Sequence, residues 1–110
     1  MHKELNKYTY RVTWSERDNE FIALCAEFPS LSWLAAKPDI ALKGIRKVVN
    51  SVLNDMKRGG EKIPEPLSTH KFSGKFVVRI LPEEHRSLAI EAAESGVSLN
   101  RLVNAKLHHA

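Results

Sequence analysis

The sequence predicts an α+β protein in two parts: a small antiparallel sheet with one covering helix, then a strand–helix–helix unit too small to fold alone. Three observations carry this. The stretches Tyr8–Trp14 and Phe21–Ala26 are rich in aromatic and β-branched residues and flank a polar turn. Between Ile40 and Met56, apolar residues recur at helical spacing. Beyond Pro64 and Pro66 the pattern restarts: Lys75–Ile80 alternates, Pro82–Ser95 reads as a helix, Gly96 breaks it, and Ser98 opens another that runs to the end of the chain.

The elements follow in order. In the first strand Tyr8, Tyr10, Val12 and Trp14 share one face by the period of two. Ser15–Glu20 is a polar turn with Asp18 and Asn19 at its tip. Phe21–Ala26 completes a hairpin, Pro29 interrupts, and Leu31–Ala35 suits a third strand. Pro38 fits the first helical turn, where its missing N–H costs nothing, and Asp39 meets the positive end of the helix dipole. Ala41, Leu42, Ile45, Val48, Val49, Val52 and Met56 form the stripe that packs on the sheet. Lys43, Arg46, Lys47 and Lys57 populate the other side, read here as a solvated surface, and Gly59-Gly60 ends the helix. Pro64 and Pro66 bar a helix, so Glu61–Gly74 reads as a connection with room for a short edge strand near Leu67–Phe72. The expected domains are 1–66, a linker at 67–74, and 75–110.

Composition bounds the function. The 110 residues are 43% hydrophobic and 27% charged, which argues against extended disorder, and no apolar run is long enough to span a bilayer. The start of the chain lacks the apolar core of a secretory signal, and the single cysteine, Cys25, fits a reducing cytoplasm. The net charge of +4 permits nucleic-acid binding without requiring it. Residues 75–110 carry five Lys/Arg against four Glu, so a DNA argument must rest on where the positive groups point.

One short strand and two short helices cannot bury enough apolar area to offset the entropy of ordering them. Two copies can, if their strands pair and their helices share a core. That is the order of the ribbon-helix-helix repressors, which lay a two-stranded ribbon in the major groove. Alternation turns Phe76, Val78 and Ile80 toward the core, with Leu88, Ala92, Leu99, Leu102 and Val103 expected to complete it and Leu107 at its margin. Lys75, Val77 and Arg79 face outward. A guanidinium can bond guanine O6 and N7 together, so Arg79 is the best base reader. Lys75 can read a base or hold a phosphate, and Val77 can only touch a methyl group. The start of the second helix, Ser98, Leu99 and Asn100, offers N–H groups suited to a phosphate.

Catalysis finds no support. The outward positions of the first strand, Thr9, Arg11 and Thr13, hold no carboxylate, and Asp39 and Asp55 lie at opposite ends of one helix. His2, His70, His85, His108 and His109 lack metal-ligand spacing, and Ser15, Ser30 and Ser32 lack a nucleophile elbow. The expectation is therefore a non-enzyme with no cofactor and no metal.

The strings CAEFPSLSWLA and GVSLNRLV, in that order, are the most specific parts of a wider resemblance running from Tyr8 to Leu107. The chain resembles the HicB-type antitoxins. The resemblance implies a partial ribonuclease-H-like N-terminal domain that binds and blocks a HicA-type toxin, an mRNA-cleaving protein. It implies a C-terminal ribbon-helix-helix domain that binds operator DNA as a homodimer or higher oligomer and represses its own operon. The location implied is the cytoplasm, at the nucleoid when DNA is bound. The operator-reading positions become Lys75, Val77 and Arg79, and the phosphate anchor becomes Ser98, Leu99 and Asn100. Acidic groups at the hairpin (Glu16, Asp18, Glu20, Glu27) would complement a basic toxin, though a solvated hairpin explains them equally. Two alternatives stay open: a solitary transcription regulator without a toxin, and an interaction module whose ribbon only dimerises it.

Overall fold

The computed structural model describes residues 2–109. It divides into two compact units, Met1–Phe72 and Ser73–Ala110.

The first unit opens with a 3₁₀ turn, Lys3–Asn6, followed by strands β1 (Tyr10–Ser15), β2 (Glu20–Cys25) and β3 (Ser32–Ala35) and helix α1 (Pro38–Arg58). The strands form an antiparallel sheet in the order β1-β2-β3. The β1–β2 turn reaches a left-handed backbone at Asn19, φ 53°, a conformation Asn tolerates better than most residues. Ser15 donates to Asp18 Oδ2 at 2.7 Å and steadies that turn.

Register places Tyr10 opposite Cys25, Val12 opposite Ala23, and Ala23 opposite Trp33. One sheet face therefore carries Tyr10, Val12, Trp14, Phe21, Ala23, Cys25, Trp33 and Ala35, and α1 lies on it. Ala23 and Ala35 are buried, and small residues there let the helix approach closely. Ala41, Ile45, Val49 and Leu53 form the buried stripe of α1, one turn apart, and meet Leu5, Tyr8, Cys25 and Phe28 in a single core. Gly44 belongs to this buried face because the Trp33 indole lies against it; a Cβ there would overlap the ring at Cγ, Cδ1 and Nε1.

After α1 the chain returns to the start of β1 and is fastened there. Tyr8 Oη donates to the Pro64 carbonyl at 2.8 Å, and Ser68 Oγ donates to the Lys7 carbonyl. Glu27 completes the clasp. Its carboxylate accepts from Thr9 N–H at 2.9 Å, Thr9 Oγ1 at 3.1 Å and Leu67 N–H at 2.9 Å. The edge strand expected near Leu67–Phe72 is absent: Leu67–Thr69 form a turn. Side chains, not a ladder, hold this segment, and residues 67–72, expected in the linker, fall within the first unit.

The second unit contains α2 (Pro82–Glu94) and α3 (Leu99–His108). Leu81 offers no capping oxygen, but Glu84 reaches back to accept its N–H at 3.2 Å, and Pro82 stands at the first helical position. The α2–α3 corner is a Schellman turn: Val97 N–H bonds the Ala92 carbonyl at 3.0 Å, Gly96 N–H bonds that of Ala93 at 3.2 Å, and Gly96 takes φ 69°. A Lys106–Glu91 ion pair at 3.1 Å joins the two helices. Only Ala92 is buried in this unit among the described residues, at 3% exposure.

Candidate nucleic-acid interface

The strand expected over Lys75–Ile80 is not formed within the chain. These residues lie outside any helix or strand, and all six are exposed. A ladder needs a neighbour for its N–H and C=O groups, and among the described residues this unit contains no strand to supply one. Phe76 is 78% exposed and Val78 65%, so within one chain the expected core face of this segment is bare. Ile80 and Leu107 are also exposed, while Leu88, Leu99, Leu102 and Val103 are half-buried between α2 and α3. Ile80, Glu83, Glu84, Ser87 and Leu88 line an open groove beside α2.

Lys75, Val77 and Arg79 are exposed, and neither cation has an acidic partner among the described residues. The Lys75 backbone is steadied locally by its N–H bond to Ser73 Oγ at 3.1 Å. Ser98 caps α3, its Oγ accepting the Arg101 N–H at 3.0 Å. The N–H groups of Leu99 and Asn100 stand in the first turn, where no intrahelical acceptor exists. The helix start thus offers two donors and the positive end of a dipole, with no acid in its first turn. No hydrogen bond or ion pair joins this set to Lys75, Val77 and Arg79 among the described residues.

Three of the four acidic hairpin groups, Glu16, Asp18 and Glu27, make contacts within the fold. Glu16 accepts the Trp14 indole N–H at 2.6 Å, Asp18 holds Ser15, and Glu27 is the clasp. Partial burial pushes the Glu27 carboxyl up, but the donors from Thr9 and Leu67 outweigh it and hold it below the usual carboxylate range. Sequence reasoning missed this role, because nothing local links positions 9, 27 and 67. Glu84 was missed in the same way, although a Glu three residues after a helix-capping position is a readable signal. Among the described residues no three potential metal ligands cluster, and no helix is long and apolar enough to cross a membrane. His2 contacts Asn54, His70 contacts Glu65, and His108 contacts the Asn104 carbonyl.

Residues 59–107 match the model of the HicB family. The match runs from the end of α1 through most of α3 and leaves the sheet outside it. No curated protein and no solved structure matches the chain.

Proposed function

We propose that this chain is a HicB-type antitoxin whose C-terminal unit dimerises as a ribbon-helix-helix and binds operator DNA to repress its own operon. Its N-terminal unit, with a partial ribonuclease-H-like fold, binds a HicA-type toxin and blocks its mRNA-cleaving site. One observation carries the reading: a unit of two helices with a single buried side chain among the described residues also exposes Phe76, Val78 and Ile80 in alternation. Such a unit cannot offset its ordering entropy alone, and a second copy supplies both the missing strand partner and the missing core. The HicB match over residues 59–107 includes this whole alternation.

The mechanism is occlusion. Antiparallel pairing of two Lys75–Ile80 segments turns Phe76, Val78 and Ile80 under the helices and presents Lys75, Val77 and Arg79 to the major groove. Arg79 reads guanine and Lys75 a base or phosphate. The free N–H groups of Leu99 and Asn100, with Ser98 fixing the first turn, hold the phosphate backbone in place. Toxin is silenced when the first unit covers its RNA-binding face. The chain performs no catalysis and needs no cofactor or metal in either task.

Because the HicB match leaves the sheet outside it, a second reading stands beside the first: a solitary repressor with no toxin partner. Gel shift on the protein's own upstream DNA tests the shared part. Arg79→Ala should weaken operator binding by about 1–3 kcal/mol, on the order of 5- to 150-fold. Unchanged affinity would refute groove reading by this face. Co-expression with each adjacent small reading frame, followed by pull-down, separates the two readings.

A further inference from the structure

The outer face of α1 has a charge pattern that the fold does not use. Between Ile40 and Asn54 the helix carries Lys43, Arg46 and Lys47 and no acidic residue. Lys43, Lys47, Asn50, Asn54 and Lys57 recur at steps of four, three, four and three, which sets them on one stripe. Lys43, Lys47, Asn54 and Lys57 on that stripe are exposed, on the side away from Ala41, Ile45, Val49 and Leu53, whereas Asn50 is half-buried with its carboxamide oxygen covered. At 1.5 Å per residue the stripe extends about 20 Å.

The cations on it differ in availability. Arg58 pairs with Asp55, and Arg46 donates to Asn6 Oδ1 at 2.7 Å while lying over the Tyr10 ring. Lys43, Lys47 and Lys57 are exposed and have no acidic partner within ion-pair distance among the described residues. Lys3 and Lys7 are exposed on and beside the 3₁₀ turn, which packs on α1 and is tied to it by the His2–Asn54 and Asn6–Arg46 bonds. Two acids qualify the field: Asp39, one turn before Lys43, and Glu4 on the 3₁₀ turn.

We propose that this face is a second nucleic-acid contact, holding the phosphate backbone of duplex DNA without reading its sequence. Three ammonium groups without ion-pair partners among the described residues, spaced along one exposed helix face, suit phosphate oxygens. The stripe has no aromatic residue on which an unpaired base could stack, so it suits a duplex and not a single strand. The choice of DNA over RNA rests on the operator-binding reading above. Two modules on one chain raise each other's effective concentration at one duplex, so a weak backbone contact adds to the total affinity.

The test uses the full chain. The triple variant Lys43→Gln, Lys47→Gln, Lys57→Gln changes only exposed helical positions, and circular dichroism checks that it folds. Fluorescence anisotropy on the upstream duplex and on a scrambled duplex, from 50 to 300 mM KCl (about the range over which phosphate contacts are titrated), reads the affinity and its salt slope. The expected result is a loss of about tenfold or more on both duplexes at the low-salt end. The log–log salt slope should flatten by about 0.9 for each contact removed.

An unchanged slope and affinity in a folded triple variant overturns the proposal. If Arg79→Ala then still weakens the upstream duplex alone, the operator reading survives by itself. If the triple variant loses binding to both duplexes while Arg79→Ala changes nothing, the α1 contact stands and operator reading falls. Tighter wild-type binding to an RNA duplex of the same sequence overturns the choice of partner. No wild-type binding to either DNA duplex at low salt overturns both ideas.

Discussion

Replacing Gly44 by Ala separates local propensity from packing. In an unhindered helix interior, Gly→Ala stabilises by about 1 kcal/mol. Here the new methyl would enter the space of the Trp33 indole. Trp33 is 39% exposed, so the ring can escape outward, but it then gives up its buried portion. A tryptophan buries roughly 150–250 Å² when fully covered. Losing something over half of that costs about 3 kcal/mol at ~25 cal/mol per Å². Shifting α1 away from β3 instead costs about 1–3 kcal/mol. Net destabilisation of about 1–2 kcal/mol is expected for Gly44→Ala, read by urea unfolding at 222 nm. In a Trp33→Ala background the methyl meets no ring, and the same change should stabilise by about 1 kcal/mol. The two backgrounds should thus differ by about 2–3 kcal/mol. If Gly44→Ala stabilises the otherwise unaltered chain, the close approach of ring and helix is wrong.

Glu27→Ala should cost about 1–3 kcal/mol, because it removes the charge-assisted hydrogen bonds from the N–H groups of Thr9 and Leu67. The folded carboxyl is held below its usual range, so the advantage of Glu27 is present at neutral pH and is lost as pH falls through that lowered value. Stability curves of the two proteins should therefore converge in acid as pH falls through that lowered value, and parallel curves would count against the clasp. Cys25 is 1% exposed, and burial pushes its thiol up to about 11, so Ellman's reagent at pH 8 should label it only after unfolding. Prompt labelling of folded protein would contradict the packing of β2 against α1. Ser98→Ala should cost about 1 kcal/mol by freeing the Arg101 N–H, measurable as a lower thermal midpoint.

Much of the first unit was legible because its patterns are local. The strands expected at Tyr8–Trp14, Phe21–Ala26 and Leu31–Ala35 differ from the observed ones by a residue or two at their ends, and α1 runs two residues past Met56. Alternation and helical spacing are written in neighbouring residues, so a single chain displays them. The 3₁₀ turn at Lys3–Asn6 was not read, since four residues carry no period. The Gly44–Trp33 contact and the Glu27 clasp were hidden for a different reason. Each joins positions that are far apart in sequence, and neither a glycine within a helix nor an acid after a strand announces its partner. In the second unit both helices and the Gly96 break were legible, but the strand was not formed. Lys75–Ile80 has the alternation of a strand and no neighbour within the chain. Pattern fixes which face would be apolar; hydrogen bonding requires another backbone. The candidate contacts Lys75, Val77, Arg79, Ser98, Leu99 and Asn100 were readable from the same pattern, whereas the α1 stripe became notable only once the burial of its opposite side left its lysines without acidic partners.

That Ala92 is the one buried side chain among the described residues of the second unit bears on the concentration dependence of its order. If the tail pairs with a second copy as proposed, it would unfold by a bimolecular law, and its midpoint would move with total protein while that of a monomeric sheet unit would not. In the dimer proposed above, copy number would set the fraction of tails that are paired.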